Sequence, residues 1–250
     1  NFQGDLYGSD LVKGTGHTTL GAGGTFALVG KTGAQANLWV GVNDAGDTAA
    51  APVVSNFNTS AGTFNATLNE LRVGGYPGAV GGSGKGNMTI GAGSLTANQV
   101  ILAETNGTTP ANTTGTLTIN GGATLTVVGD VAEPTAGGVS TLQVDNGTLI
   151  VGGNATADTI RVGFSSTAAN NVGQMNVTGG LSAGTLNVGQ LTSTGWATGT
   201  LNVGNGLAAN TFGVANTTGA GAVNGTVNVT GGAVTIGTGT QDLNIGRRVT

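Results

Sequence analysis

Short runs in which apolar and polar residues alternate recur along the chain, each bounded by Gly or Asn. One run reads Gly86-Asn87-Met88-Thr89-Ile90-Gly91 and again Gly115-Thr116-Leu117-Thr118-Ile119-Asn120-Gly121. It returns as Thr141-Leu142-Gln143-Val144 after Ser140 and as Gln174-Met175-Asn176-Val177 after Gly173. The last copies are Thr200-Leu201-Asn202-Val203 after Gly199 and Thr226-Val227-Asn228-Val229 after Gly225, and looser copies begin at Gly24 and Gly62. A second run, apolar-x-apolar-Gly, comes later in most repeats: Leu38-Trp39-Val40-Gly41, Leu71-Arg72-Val73-Gly74, Ile160-Arg161-Val162-Gly163, Leu186-Asn187-Val188-Gly189 and Leu243-Asn244-Ile245-Gly246. Between the two lies a weaker strand, such as Ala123-Thr124-Leu125-Thr126-Val127 or Ala233-Val234-Thr235-Ile236. Period-two alternation sends successive side chains to opposite faces of a strand. Each repeat therefore reads as three short strands, with Gly and Asn supplying the positive φ of sharp corners.

Repeat starts near 24, 62, 86, 115, 140, 173, 199 and 225 give spacings of 38, 24, 29, 25, 33, 26 and 26 residues. Three strands of this length cannot bury their apolar sides alone, but stacked repeats can, with backbone groups pairing to the coils above and below. The expectation is an all-β parallel β-solenoid of three strands per coil. About eight coils, each ~4.8 Å from the next, would make a rod roughly 40 Å long. Variation in spacing falls in loops such as 105–114 and 164–172. Residues 1–23 lack the repeat and read as an irregular segment or cap; residues 24–250 carry the solenoid. A β-sandwich has no reason to repeat a side-chain pattern at this period.

The Gly-Thr-Leu-x-Val-x-Gly-Gly and Leu-x-Val-Gly units resemble the repeats of bacterial autotransporter passenger regions and similar large secreted β-helix proteins. The likeness covers roughly Gly24 to Gly246. It implies a right-handed solenoid, the usual hand of parallel crossovers, and an extracellular or cell-surface role in adhesion, fibre or sheath. It carries over no catalytic residue, and the C-terminal barrel of a whole autotransporter is missing from this sequence.

Composition sharpens this reading. Of 250 residues 50 are Gly and only 4 Pro, without a Gly-X-Y period, which excludes collagen. Hydrophobic residues reach 38% and charged ones 7%, the reverse of a disordered chain. The net charge of −4, with no basic cluster beyond Arg247-Arg248, disfavours nucleic acid. No apolar run reaches the ~20 residues of a transmembrane helix. The absence of Cys argues against a stapled scaffold and leaves secretion open. The start at Asn1 and the stop in mid-pattern at Thr250 read as a mature or excised part of a longer chain.

Ionisable chemistry is thin. His17 is the single His, so a His-dependent triad is disfavoured. Gly180-Leu181-Ser182-Ala183-Gly184 matches a nucleophile-elbow pattern, which needs a strand-turn-helix setting. Gly81-Gly82-Ser83-Gly84-Lys85-Gly86 echoes a phosphate loop but fails the Walker spacing at Ala79 and Gly86. Glu70, Glu104, Asp130, Glu133, Asp145, Asp158 and Asp242 are spread about one per coil. Glu70 with Arg72 and Asp158 with Arg161 read as local ion pairs on equivalent strands, too far apart for one paired-carboxylate site. Asn43-Asp44-Ala45-Gly46-Asp47 offers oxygen ligands, but an Asx turn explains it better than Ca²⁺. No catalytic, cofactor or metal site is expected.

Two features concern surfaces. Thr89, Thr118, Gln143, Asn176, Asn202 and Asn228 read as one outward column, a candidate binding ladder. Trp39, at an outward position, is a candidate for stacking on sugar, with Trp196 a weaker one. The leading expectation is a structural or adhesive solenoid segment whose partners are further copies, stacked end to end into filaments, or surface glycans. The competing readings are a polysaccharide-acting β-helix enzyme, which would need two acids and a base clustered on one face, and a glycan- or ice-binding module.

Overall fold

The computed structural model describes residues 2–3, 6–7, 16–31, 34–43, 52–75, 83–105, 112–133, 138–167, 170–237 and 243–246. They form 22 strands and no α-helix. Every strand pairing is parallel and joins one coil to the next. The chain is an all-β parallel β-solenoid with three faces. Face A stacks β3 (Gly16–Thr19), β6 (Val53–Asn58), β8 (Gly84–Ile90), β10 (Thr114–Ile119) and β13 (Val139–Val144). It continues through the second parts of β15 (Ala155–Ser165), β17 (Leu181–Leu191) and β19 (Leu207–Thr217) to β22 (Leu243–Ile245). Face B stacks β1 (Phe2–Gln3), β4 (Thr25–Val29) and the first parts of β7 (Thr63–Gly75) and β9 (Ser94–Glu104). Below them lie β11 (Thr124–Val127), β14 (Gly147–Val151), β16 (Asn171–Val177), β18 (Trp196–Val203) and β20 (Ala222–Val229). Face C stacks β2 (Leu6–Tyr7), β5 (Ala36–Val42), the second parts of β7 and β9, and β12 (Val131–Ala132). It ends with the first parts of β15, β17 and β19 and with β21 (Val234–Ile236).

The alternation in each strand sends one apolar column inward from each face. Phe57, Met88, Leu117, Leu142, Ile160, Leu186 and Phe212 stack from face A, all buried. Leu95, Leu125, Leu149, Met175 and Leu201 come from face B; Leu71, Val100, Val131, Leu181 and Leu207 come from face C. Burying each such side chain contributes roughly 1.5–3 kcal/mol, so every coil is stabilised by its two neighbours. Near the N-terminal end the Phe64 ring lies 5.4 Å from Phe26 and 5.2 Å from Phe57, filling the core with aromatic volume.

The coil count is smaller than the repeat count. About six turns are closed, with buried inward residues on all three faces, where eight were expected. The outermost coils are open. No residue of β3 is buried, and in the last coil Val234, Leu243 and Ile245 are 51%, 51% and 72% exposed.

The repeat frame also differs from expectation. Leu117 pairs with Leu142, but the next face-A partner of Leu142 is Ile160, only 18 residues on. Met175 stacks on Leu149 instead. The repeat that begins at Ser140 thus holds four strand segments in place of three: β13, β14 and the two parts of β15. Upstream of it the Thr-Leu-x-Val-type run lies on face A and the apolar-x-apolar-Gly run on face C. Downstream they lie on faces B and A. The copies beginning at Gly24 and Gly62 belong to face B, and the true face-A strands of those coils, β3 and β6, carry no such motif.

What stays constant is the corner where the two runs meet. A Cβ on Gly86 or Gly115 would stand 2.1 Å from the carbonyl oxygen of Val40 or Val73. Below the shift, a Cβ on Gly173 or Gly199 would stand 2.0 or 2.1 Å from that of Val144 or Val162. On the other side of the same corner, Gly74 and Gly163 hold φ of 66° and 68°, with the carbonyl oxygens of Thr114 and Thr198 in the space a side chain would need. Backbone approaches this close admit only Gly. Ala103 and Ala215 take equivalent positive-φ positions, at 49° and 55°.

Candidate functional site

The six residues expected in one ladder fall on two faces. Thr89, Thr118 and Gln143 stack on face A and continue into Arg161 and Asn187. Asn176, Asn202 and Asn228 stack on face B beneath Thr126 and Ile150. There the amides chain together: Asn202 Nδ2 donates to Asn176 Oδ1 at 2.7 Å, and Asn228 Nδ2 to Asn202 Oδ1 at 2.8 Å. A ladder absent from the sequence reading also emerges. Thr116, Thr141, Thr159, Thr185 and Thr211 are consecutive partners on face A. Its signal was hidden because the first two belong to one motif and the last three to the other.

Trp39 sits on β5 of face C with the Arg72 guanidinium carbon 5.1 Å from its ring centroid, a cation–π arrangement that occupies one ring face. Arg72 also holds two carboxylates. Its Nε donates to Glu70 Oε1 at 2.9 Å and its Nη2 to Glu70 Oε2 at 3.2 Å, while Nη1 bonds Glu104 Oε2. Gln99 Nε2 donates to Glu70 Oε2 at 2.8 Å. Here two acids and a base do cluster on one face, the arrangement named for an enzyme. Both carboxylates, however, are tied to the same guanidinium, and none of these residues lines the cavities described below. Trp196, the other sugar-stacking candidate, begins β18 on face B and is 39% exposed.

The pairs Glu70–Arg72 and Asp158–Arg161 are not on equivalent strands: Arg72 is on face C and Arg161 on face A. Arg161 Nη1 donates to Gln143 Oε1 at 3.3 Å, and its guanidinium carbon lies 4.9 Å from the Phe164 ring centroid. Gln143 Nε2 in turn donates to Asp145 Oδ2 at 2.7 Å. Asp145 is 8% exposed. Burial pushes its carboxyl up to about 6, against the lowering effects of Gln143 and Arg161.

Asp158 points to a different group. The Ser140 amide donates to Asp158 Oδ2 at 3.0 Å, the Asp158 amide donates to Ser140 Oγ at 2.7 Å, and Ser140 Oγ donates to Glu133 Oε2 at 2.5 Å. Burial raises the Glu133 carboxyl above its usual range, and the Asp158 charge adds to that rise. Ser140 occupies the position of Gly86 and Gly115 in the coils above, and its hydroxyl is engaged on both sides, accepting from the Asp158 amide and donating to Glu133.

This cluster opens onto face C. A cavity of about 340 Å³ is lined by Glu133, Asp158, Gly184 and Asn210 with Thr156, Ser182 and Ala208. A second, of about 410 Å³, shares those last three residues and extends to Asn154, Asn205 and Thr235. Together they make one groove across the lower coils. A third cavity of about 380 Å³ is the open core of the last coil, lined by Leu207, Phe212, Val214, Val227, Val229, Val234 and Ile245.

The remaining motifs find no chemical setting. Ser182 is an outward residue at the start of β17, with no helix after it. His17 is an exposed residue of β3. Asp130 Oδ1 accepts the Asn154 amide at 2.6 Å, a turn contact. Gly81, Gly82, Asp44 to Asp47, Asp242 and Arg247-Arg248 lie outside the described residues. Among the described residues no three His, Asp or Glu side chains are grouped to hold a metal ion, and no helix is long and apolar enough to cross a membrane. Compared with protein families, curated proteins and solved structures, the chain matches none.

Proposed function

We propose that this chain is a structural and adhesive solenoid segment working outside the cell, related in kind to autotransporter passenger repeats, with no catalytic activity. The observation that carries the reading is the pairing of a continuous apolar core with uncharged ladders on faces A and B. Thr116 to Thr211 on face A and Asn176 to Asn228 on face B present repeated hydroxyls and amides at the coil spacing. Weak contacts repeated along a stiff body sum to firm attachment. The two charge clusters serve the fold in this reading: Arg72 bridges Glu70 and Glu104, and Ser140 ties Glu133 to Asp158. Self-association belongs to this reading because parallel coils of like sequence present complementary strand edges to one another.

Electron microscopy and light scattering of the purified 250-residue segment, over a rising concentration series, test this. The expected result is short stiff rods that lengthen by end contacts as concentration rises and that coat polysaccharide or cell surfaces. Compact monomers at every concentration that attach to no such surface overturn the reading.

A further inference from the structure

We infer that the groove on face C is a binding track for a hydroxyl-rich, uncharged glycan chain, an assignment that deepens the adhesive reading and rests on it. Outward residues of four successive coils, Thr156, Ser182, Ala208 and Thr235, lie in direct register and form its floor. Three steps between them span about 14 Å, room for a short stretch of extended sugar rather than a single small molecule. The floor is low because all four side chains are small.

The walls carry the hydrogen-bonding groups. Asn154 and Asn205 stand on one side, and Asp158, Asn210 and Glu133 on the other. The hydroxyls of Ser182 and Thr235 are exposed on the groove floor and open to a ligand hydroxyl or amide, while the Glu133 Oε1 atom beside them is buried with no side-chain donor. β15, β17 and β19 each run from face C to face A without a break, so no connection rises beside the middle of the track.

An extended peptide fits less well. Peptides recognised by β-sheets add to a free strand edge, but β17 and β19 are paired on both sides. The carboxylates of Glu133 and Asp158 disfavour an acidic polymer by repulsion.

The test is native affinity electrophoresis of the full chain in gels containing soluble neutral glucan, mannan or chito-oligosaccharide, with alginate as the acidic comparison. Retardation by at least one neutral glycan is expected. Ala208→Trp and Ser182→Trp, both outward and solvent-facing, should weaken it about tenfold or more with unchanged thermal unfolding. Thr200→Trp on face B should leave it intact. Binding undiminished by both groove variants overturns the track while leaving an adhesive rod standing. Retardation by alginate alone, or by no glycan, overturns it as well, and the end-to-end assembly of the rod is then judged by microscopy independently.

Discussion

Above β13 and below β15 the solenoid uses the same two glycine-bounded runs on different faces. In the upper coils the corner between them joins faces C and A; in the lower coils it joins A and B. The connections move with it. Residues 44–51, 76–82, 106–111 and 134–137 lie between a face-C strand and the next face-A strand, whereas 192–195 and 218–221 lie between faces A and B. The 18-residue step from Gln143 to Arg161 separates the two regimes. The motif therefore encodes a corner, in which two backbones approach within a glycine's reach, and not a face. A coil shortened by one connection rotates the whole pattern by one face without disturbing the columns of buried Leu, Ile and Val.

Filling the corner on each side of the shift has the largest expected effect. Gly86→Ala and Gly199→Ala each place a methyl 2.1 Å from a backbone carbonyl oxygen. Both should cost about 3 kcal/mol or more, read as a drop in urea midpoint. Gly122→Ala, at φ 83° in open space, should cost about 1 kcal/mol. If only one of the two corner variants were damaging, the equivalence of the corners would fail.

Next in size is the carboxyl buried inside the short coil. Asp145 goes from a usual 3.8 to about 6 on folding, so between those values the folded state binds more protons than the unfolded one. Its contribution therefore lowers stability as pH rises from about 4 to 6, and the loss is complete above that window. Asp145→Asn should raise stability at pH 7 by about 2–3 kcal/mol and flatten the dependence of thermal midpoint on pH across the window. An unchanged profile would mean that the carboxyl is solvated.

Ser140→Ala probes the same coil more gently. Removing the hydroxyl leaves the Asp158 amide and Glu133 without their partner, a loss of about 1–3 kcal/mol. Ser140 already carries a Cβ, so Ala brings no clash, and a neutral result would show that water replaces the hydroxyl. The smallest effect is a gain. Ala103→Gly on face C and Ala215→Gly on face A relieve positive φ at matching corner positions. Each should add about 0.5–1 kcal/mol, and a gain at one site alone would show that the corners differ after all.

Several properties were legible from the chain itself. Period-two alternation in four- to six-residue runs, Gly at their ends and a repeat in side-chain type specify short parallel strands stacked in coils, because each of these is a local demand of backbone geometry and burial. Which residues share a face was settled only by tertiary pairing. In a parallel solenoid a strand's neighbours are fixed by coil length, and a Thr-Leu-x-Val run fits any face with an apolar column behind it. Hence the expected ladder of six divided after Gln143, and the five-level Thr ladder was hidden across two motifs. The starts at Gly24 and Gly62 were misplaced for a related reason: Val53, Ser55 and Phe57 alternate inward on β6 without the glycine signature. The groove and the Arg72 cluster depend equally on stacking. Arg72 and Glu104 are 32 residues apart in the chain and one coil apart in space. Alternation dictates a strand; only the winding of the coils determines which strands become neighbours.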